Sequence, residues 1–285
     1  MAKDKYVRFD WAAKRMLRNK ANFGVLEGLI TVLLNEEVHI DEVYPCNNID
    51  DVHYDRFPAL EIGAINSNNE KIIIEIQITR ELYYLECLCY GVPPFITNRI
   101  SNGEKYDWVK KVYSISILYF DLGKGADYLY HGQATFKGVH TGDTLQITTK
   151  EKDVIEMKTP EQVFPEYFLI RVNEFNKVAT TPLEEWLDYL RSGHIKDDTT
   201  APGLQQVRQN LLYMQMSKEE QLSYDRHLED IMVQNDCIAS AMKEGRAEGE
   251  KTKAIAIARN LLAMGMTVEQ VSKATGLTEE EINSL

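Results

Sequence analysis

Apolar residues recur at helical spacing near the N-terminus. Phe23, Leu26, Ile30, Leu33 and Leu34 mark one stripe of a helix over 22–36. A shorter helix over 9–20 precedes it, with Asp10 as its N-cap. The period then shortens to two. A strand is expected near Glu42–Tyr44, and residues 58–78 form a hairpin in which Ala59–Ile65 and Lys71–Ile78 flank the turn-forming run Asn66–Glu70. The second strand is so apolar that it belongs in the middle of a sheet. A helix follows over 80–91, limited by Pro93-Pro94. Val112–Phe120 is a long β-branched strand, and weaker strands are expected at 128–136, 145–148 and 167–172. Together these elements predict a mixed α/β sheet with flanking helices over 1–175.

Beyond residue 176 the pattern becomes helical. Leu183–Leu190 is amphipathic, Ser192–Gly203 is a loop, and 204–264 is polar and helical, with a charged run at Lys243–Lys251 that contains two glycines. Residues 254–285 form a helix-turn-helix-shaped end. Thr267–Gln270 and Thr278–Glu281 match the capping box, and Gly276 stands at a C-cap position. Packing or oligomerisation suits this end better than DNA reading, because Glu279, Glu280 and Glu281 at a helix start repel phosphate.

The candidate chemistry follows from strand alternation. Lys71, Ile73, Glu75 and Gln77 share one face of the second hairpin strand; Ile72, Ile74, Ile76 and Ile78 share the other. A turn centred on Asn68 sets Glu61 directly opposite Glu75, with Cβ atoms about 4.5–5.5 Å apart. Two carboxylates so placed repel. Either that face lies in water, as one-sided hairpins allow, or a cation lies between them. Ile73 on the same face favours the cation, and oxygen ligands suit Mg²⁺ or Mn²⁺. Glu27 falls on the apolar stripe of the 22–36 helix, where an unpaired charge is out of place, so it is a candidate third ligand.

Composition changes this picture little. With 44% hydrophobic and 27% charged residues, the chain of 285 is a folded globular type. No apolar run reaches the roughly 18 residues of a membrane span. No secretory signal is read at the N-terminus, and Cys46, Cys87, Cys89 and Cys237 make no disulfide framework, so a reducing cytoplasm is expected. The net charge of −12 divides into −3 over 1–150 and −9 over 151–285. That argues against broad nonspecific DNA binding but leaves room for a local basic rim. Arg80, Lys71 and Lys105, with Lys110 and Lys111, are the candidate cations for such a rim, set against an ordinary solvated surface. The six histidines show no metal-ligand spacing.

The ordered series of motifs resembles the PD-(D/E)XK nuclease family transposases, which are related to the recombination-promoting nucleases. Phe9–Leu17 is similar to the family's opening segment and Asn22–Leu34 to its Leu-rich helix. Leu60-Glu61-Ile62 through Ile74-Glu75-Ile76-Gln77 resembles its acidic core, with the same 14-residue gap between acids. Arg80, Tyr83-Tyr84, Gly103, Tyr106 and the Val112–Phe120 strand follow in similar order, and so do the Glu-Gly-Arg-Ala-Glu-Gly run and the C-terminal tail. The resemblance implies a restriction-endonuclease-like fold and Mg²⁺- or Mn²⁺-dependent hydrolysis of DNA phosphodiesters in recombination or mobile-element activity; a homo-oligomer is a separate expectation, tied to the helical C-terminal end. Glu61, Glu75 and Glu27 would hold the metal, and Gln77 would orient water or phosphate. Two departures matter. Glu61 stands where the family has Asp, and Gln77 stands where the wider superfamily has Lys, so positive charge must come from elsewhere, with Lys71 and Lys14 as candidates. These departures and the net charge also fit a second reading, a catalytically degenerate nuclease fold that serves as an interaction module.

Overall fold

The computed structural model describes residues 6–16, 22–45, 59–78, 83–93, 110–151 and 154–285. Two compact units divide the chain, Met1–Met216 and Ser217–Leu285. The division falls later than the change of pattern near 176, because the helices that follow pack back onto the first unit. Trp186 and Tyr189 are fully buried. The Phe9 ring meets Trp186 edge-on at 6.1 Å, and the Tyr189 hydroxyl donates to the Val7 carbonyl at 2.8 Å.

In the first unit, helices α1 (Phe9–Met16) and α2 (Phe23–Leu34) lead into strands β1 (Ile40–Pro45), β2 (Ala59–Asn66) and β3 (Lys71–Gln77). Helix α3 (Tyr84–Gly91) and strands β4 (Val112–Leu118) and β5 (Leu129–Gly132) follow. A separate hairpin, β6 (Ile147–Glu151) and β7 (Val154–Lys158), precedes β8 (Glu166–Arg171). The main sheet has the order β1-β2-β3-β4-β8-β5. Its β1-β2-β3 part is antiparallel, β3-β4 and β4-β8 are parallel, and β5 returns antiparallel to β8. Strand β7 was not expected from the pattern, and β5 is shorter than the 128–136 expectation.

The centre of the sheet is buried on both sides. Ile72, Ile74 and Ile76 are at most 1% exposed on one face, and Ile73 is 4% exposed on the other. This is the signature of a parallel strand covered on both faces. The β2–β3 turn is held by Asn66, whose side-chain oxygen accepts the Asn68 and Glu70 N–H groups at 3.2 and 2.8 Å, while Asn69 takes the left-handed conformation (φ 60).

Helices α4 (Pro182–Ser192) and α5 (Leu204–Asn210) close the first unit. Gly203 (φ 81) has Gly24 O and the Gly28 Cα 3.0 Å from where a Cβ would stand, so α5 starts close against α2. The expected 204–264 helix is broken at Leu211–Ser217. It resumes as the 46-residue α6 (Lys218–Ala263), which starts with a Ser217–Glu220 capping box. Helices α7 (Val268–Thr275) and α8 (Glu279–Asn283) carry the two expected capping boxes, and Gly276 ends α7 at φ 75. Ala258, Val271, Leu277 and Ile282 form the core of this end.

Candidate metal and nuclease site

The hairpin register is the one the alternation predicts. Glu61 on β2 is the Cα partner of Glu75 on β3, and Ala59 is the partner of Gln77. On the other side of β3, Ser116 of β4 is the partner of Glu75, and Ser114 is the partner of Ile73. Positions 61, 75 and 116 therefore stand in one row across three adjacent strands, with Ser114 two residues along β4.

The local surroundings make this face polar but largely dry. Glu75 is half-buried. The Tyr84 hydroxyl donates to its Oε2 at 3.0 Å, and the Tyr84 ring, 3% exposed, is braced edge-on against Phe120 at 5.6 Å. Next to Glu75 is a cavity of about 110 Å³ lined by Ile73, Ser114, Cys87, Leu88, Gly91 and Val92. The Ser116 hydroxyl is fully buried and has no hydrogen-bond partner among the described residues. Burying a hydroxyl unpaired costs roughly 1–3 kcal/mol, so such a group calls for a water or ligand. The Glu75 carboxylate beside such a hydroxyl, opposite a second acidic position in the register, is a donor set that suits a hard cation or its bound water.

The other expected site residues are distributed less compactly. Glu27 accepts the Ile40 N–H at 2.8 Å through Oε1. Ile40 pairs with Asn66, five residues along β2 from Glu61, or roughly 17 Å at strand spacing. The charge on the apolar stripe of α2 is thus explained by a backbone contact that starts β1, and the structure does not bring Glu27 to the Glu61–Glu75 pair. Gln77 is fully buried at the end of β3. Lys71 opens β3, four residues or roughly 13 Å before Glu75. Arg80 and Lys105 lie outside the described residues. Lys111 corrects the basic-rim expectation. It is 8% exposed, its ammonium pairs with Glu166 Oε2 at 2.7 Å, and it donates to the Glu161 carbonyl, so its charge is used inside the fold. Among the described residues no group of three or more His, Cys, Asp or Glu side chains forms a metal cluster.

One pair at the Gln77 end was not singled out from the sequence. The Tyr119 N–H donates to the Gln77 carbonyl at 2.9 Å, and the Arg8 guanidinium lies 5.0 Å over the Tyr119 ring. Arg8 makes a two-point contact with the Asp10 carboxylate at 2.9 and 3.2 Å. Asp10 is not the N-cap of α1. It sits inside the first turn, 2% exposed, and accepts the Trp11 N–H. The Arg-x-Asp spacing at a helix start was the available signal, and the capping interpretation absorbed it.

A mixed sheet whose central strands carry opposed acids, flanked by helices, defines the restriction-endonuclease-like class of nuclease folds. The sequence profile of the PD-(D/E)XK nuclease family transposases matches residues 7–241, and the chain belongs to that family. Residues 251–285 match the C-terminal helix-turn-helix domain of the Rpn/YhgA-like nuclease family, the region of the end of α6 with α7 and α8. No curated protein and no solved structure matches the chain. Among the described residues no helix is long and apolar enough to cross a membrane.

Proposed function

We propose that the protein is a divalent-metal-dependent DNA endonuclease of recombination or mobile-element processing, working in the cytoplasm as a homo-oligomer. The observation that carries this reading is the direct opposition of Glu61 and Glu75 in the register of the adjacent strands β2 and β3, beside the Ser116 hydroxyl, which has no partner among the described residues. Like charges on directly opposed strand positions are destabilising without a cation between them. Mg²⁺ or Mn²⁺ held there would supply an activated water and charge stabilisation at the scissile phosphate.

The chain's own residues do the rest. Glu61 and Glu75 are the proposed ligands. Tyr84 donates to Glu75 Oε2 and is the proposed positioning residue for that carboxylate. Gln77, fully buried at the end of β3, is the proposed residue that orients water or phosphate. Glu27 reaches this metal only by releasing Ile40, so the site is proposed to work with two strand carboxylates. Arg80, Lys71 and Lys105 are the proposed contacts to the DNA backbone; the match of the C-terminal end to a helix-turn-helix domain supports a second point of DNA contact there, against the packing expectation and away from the acidic start of α8.

The burial of Gln77 also favours the second reading, a degenerate nuclease fold kept as an interaction module. A plasmid-nicking assay separates the two. Supercoiled DNA is incubated with the protein in Mg²⁺, Mn²⁺ or EDTA, and wild type is compared with Glu75→Ala. Metal-dependent nicking that disappears in the variant is the expected result. Equal activity in both proteins, or none with either metal, overturns the assignment.

A further inference from the structure

Helix α6 carries a surface that the C-terminal helix cluster of its own unit does not use. Every residue from Met232 to Lys253 is exposed. That is about 33 Å of helix with no partner in its own unit. Helices in proteins draw most of their stability from a packed apolar face, so a stretch of this length calls for an occupant.

The sequence of α6 says what kind. Leu228, Ile231, Asn235, Ile238 and Met242 are separated by alternating steps of three and four residues, and Gly245 continues the series. These are the a and d positions of a heptad, with apolar side chains at all but one site through Met242. Ile238 is 39% and Met242 is 60% exposed. The exception is Asn235 at an a position, the placement that fixes register and strand number in two-stranded coiled coils. Residues on the remaining faces, such as Asp236, Lys243, Glu244 and Glu250, stay in water.

We propose that α6 pairs with α6 of a second copy of this chain as a parallel, in-register coiled coil. In the parallel arrangement Asn235 meets the partner's Asn235 and the two amides satisfy each other. In the antiparallel one an a position faces a d position, which would bury the amide against isoleucine. The flanking charges agree. Glu248 takes a g position and Lys253 the e position five residues on, so parallel strands set Glu248 against the partner's Lys253 in both directions. Antiparallel strands would instead bring the cationic e positions, Arg246 and Lys253, together. Gly245 and Gly249 add no apolar surface, so the seam is strongest between Leu228 and Met242. Because each nuclease unit enters α6 at Lys218, a parallel pair ties two nuclease units to the same end of the coil. That geometry serves two cuts in one duplex.

The proposal rests on the oligomer reading above and names its surface; it does not depend on the metal. Its test is the mass of the full-length protein in solution by light scattering across micromolar concentrations. Wild type is expected at twice the chain mass, and the double variant Ile238→Asp/Met242→Glu is expected to weaken association at least tenfold. Ile238→Cys in a Cys237→Ser background is expected to form an interchain disulfide on mild oxidation, above the level of the background alone. A wild type that stays monomeric overturns both the coil and the oligomer. A dimer that survives the double variant and does not cross-link at 238 overturns the coil and leaves the oligomer standing.

Discussion

Glu184 and Glu75 both sit within the first unit, and they are held in opposite ways. Glu184, 4% exposed at the start of α4, pairs with Lys177 at 2.6 Å. It also accepts the Thr180 N–H and hydroxyl at 2.7 and 2.6 Å and the Tyr128 hydroxyl at 3.2 Å. The hydrogen bond from Lys177 is the largest of the influences that hold its carboxyl down at about 2. Glu75 receives a hydroxyl from Tyr84 but faces Glu61 across the strands and opens on a cavity. Glu184 is held by a cation and three hydrogen bonds from its own surroundings and is a structural part. Glu75, set opposite a second acidic position in the register, is the carboxylate proposed to take an external cation.

That contrast can be broken by experiment, and the largest effect belongs to Glu75. Glu75→Ala is expected to lower metal-dependent nicking by roughly a hundredfold or more. Its urea midpoint should stay near that of wild type or rise, because a like-charge contact is removed. A large loss of stability would instead make Glu75 a second Glu184. The opposite face of the same strand sets the scale for packing. Ile74→Ala, at a fully buried position, is expected to cost about 2–5 kcal/mol in urea unfolding. Nicking per folded molecule should not change.

Glu184→Ala is expected to cost roughly 1–3 kcal/mol, again without touching the chemistry. Its contribution should depend on pH in a defined direction. The folded value is depressed from 4.5 to about 2. The stabilisation is therefore fully present above about 4.5 and is lost as the pH falls toward 2. The difference in stability between wild type and Glu184→Ala should narrow over that window, and a constant difference would contradict the assignment. The smallest effect is expected from Tyr84→Phe. Removing one hydroxyl should weaken Mn²⁺ binding, followed calorimetrically, by about 1 kcal/mol. Unchanged Mn²⁺ affinity would mean that Tyr84 only packs.

The opposed acids were legible from the sequence because strand alternation and a short turn leave one register. Asn66 to Asn69 close that turn with local side-chain hydrogen bonds, so the arithmetic of the hairpin holds whatever the rest of the fold does. The capping boxes at Thr267 and Thr278 were legible for the same reason: every contact lies within four residues. Glu27 and Lys111 were not. A charge on an apolar stripe, or beside a candidate site, has the same sequence signature whether it meets a metal, a phosphate or a backbone N–H. Ile40 and Glu166 supplied their partners, and those residues come from other elements.

Much of the local order is written in the chain itself: most of the strands, the central place of β3, the register that sets position 61 opposite 75, and how α7 and α8 begin. These depend on side-chain periodicity and on hydrogen bonds across a few residues. Tertiary structure decided what each charge is for. It placed Glu27 at the start of β1, enclosed Lys111 with Glu166, set Arg8 over the Tyr119 ring, and left Ser116 buried in register with Glu75 without a hydrogen-bond partner among the described residues. Desolvation and pairing are set by neighbours distant in the chain, and a residue's own position in the sequence does not carry them.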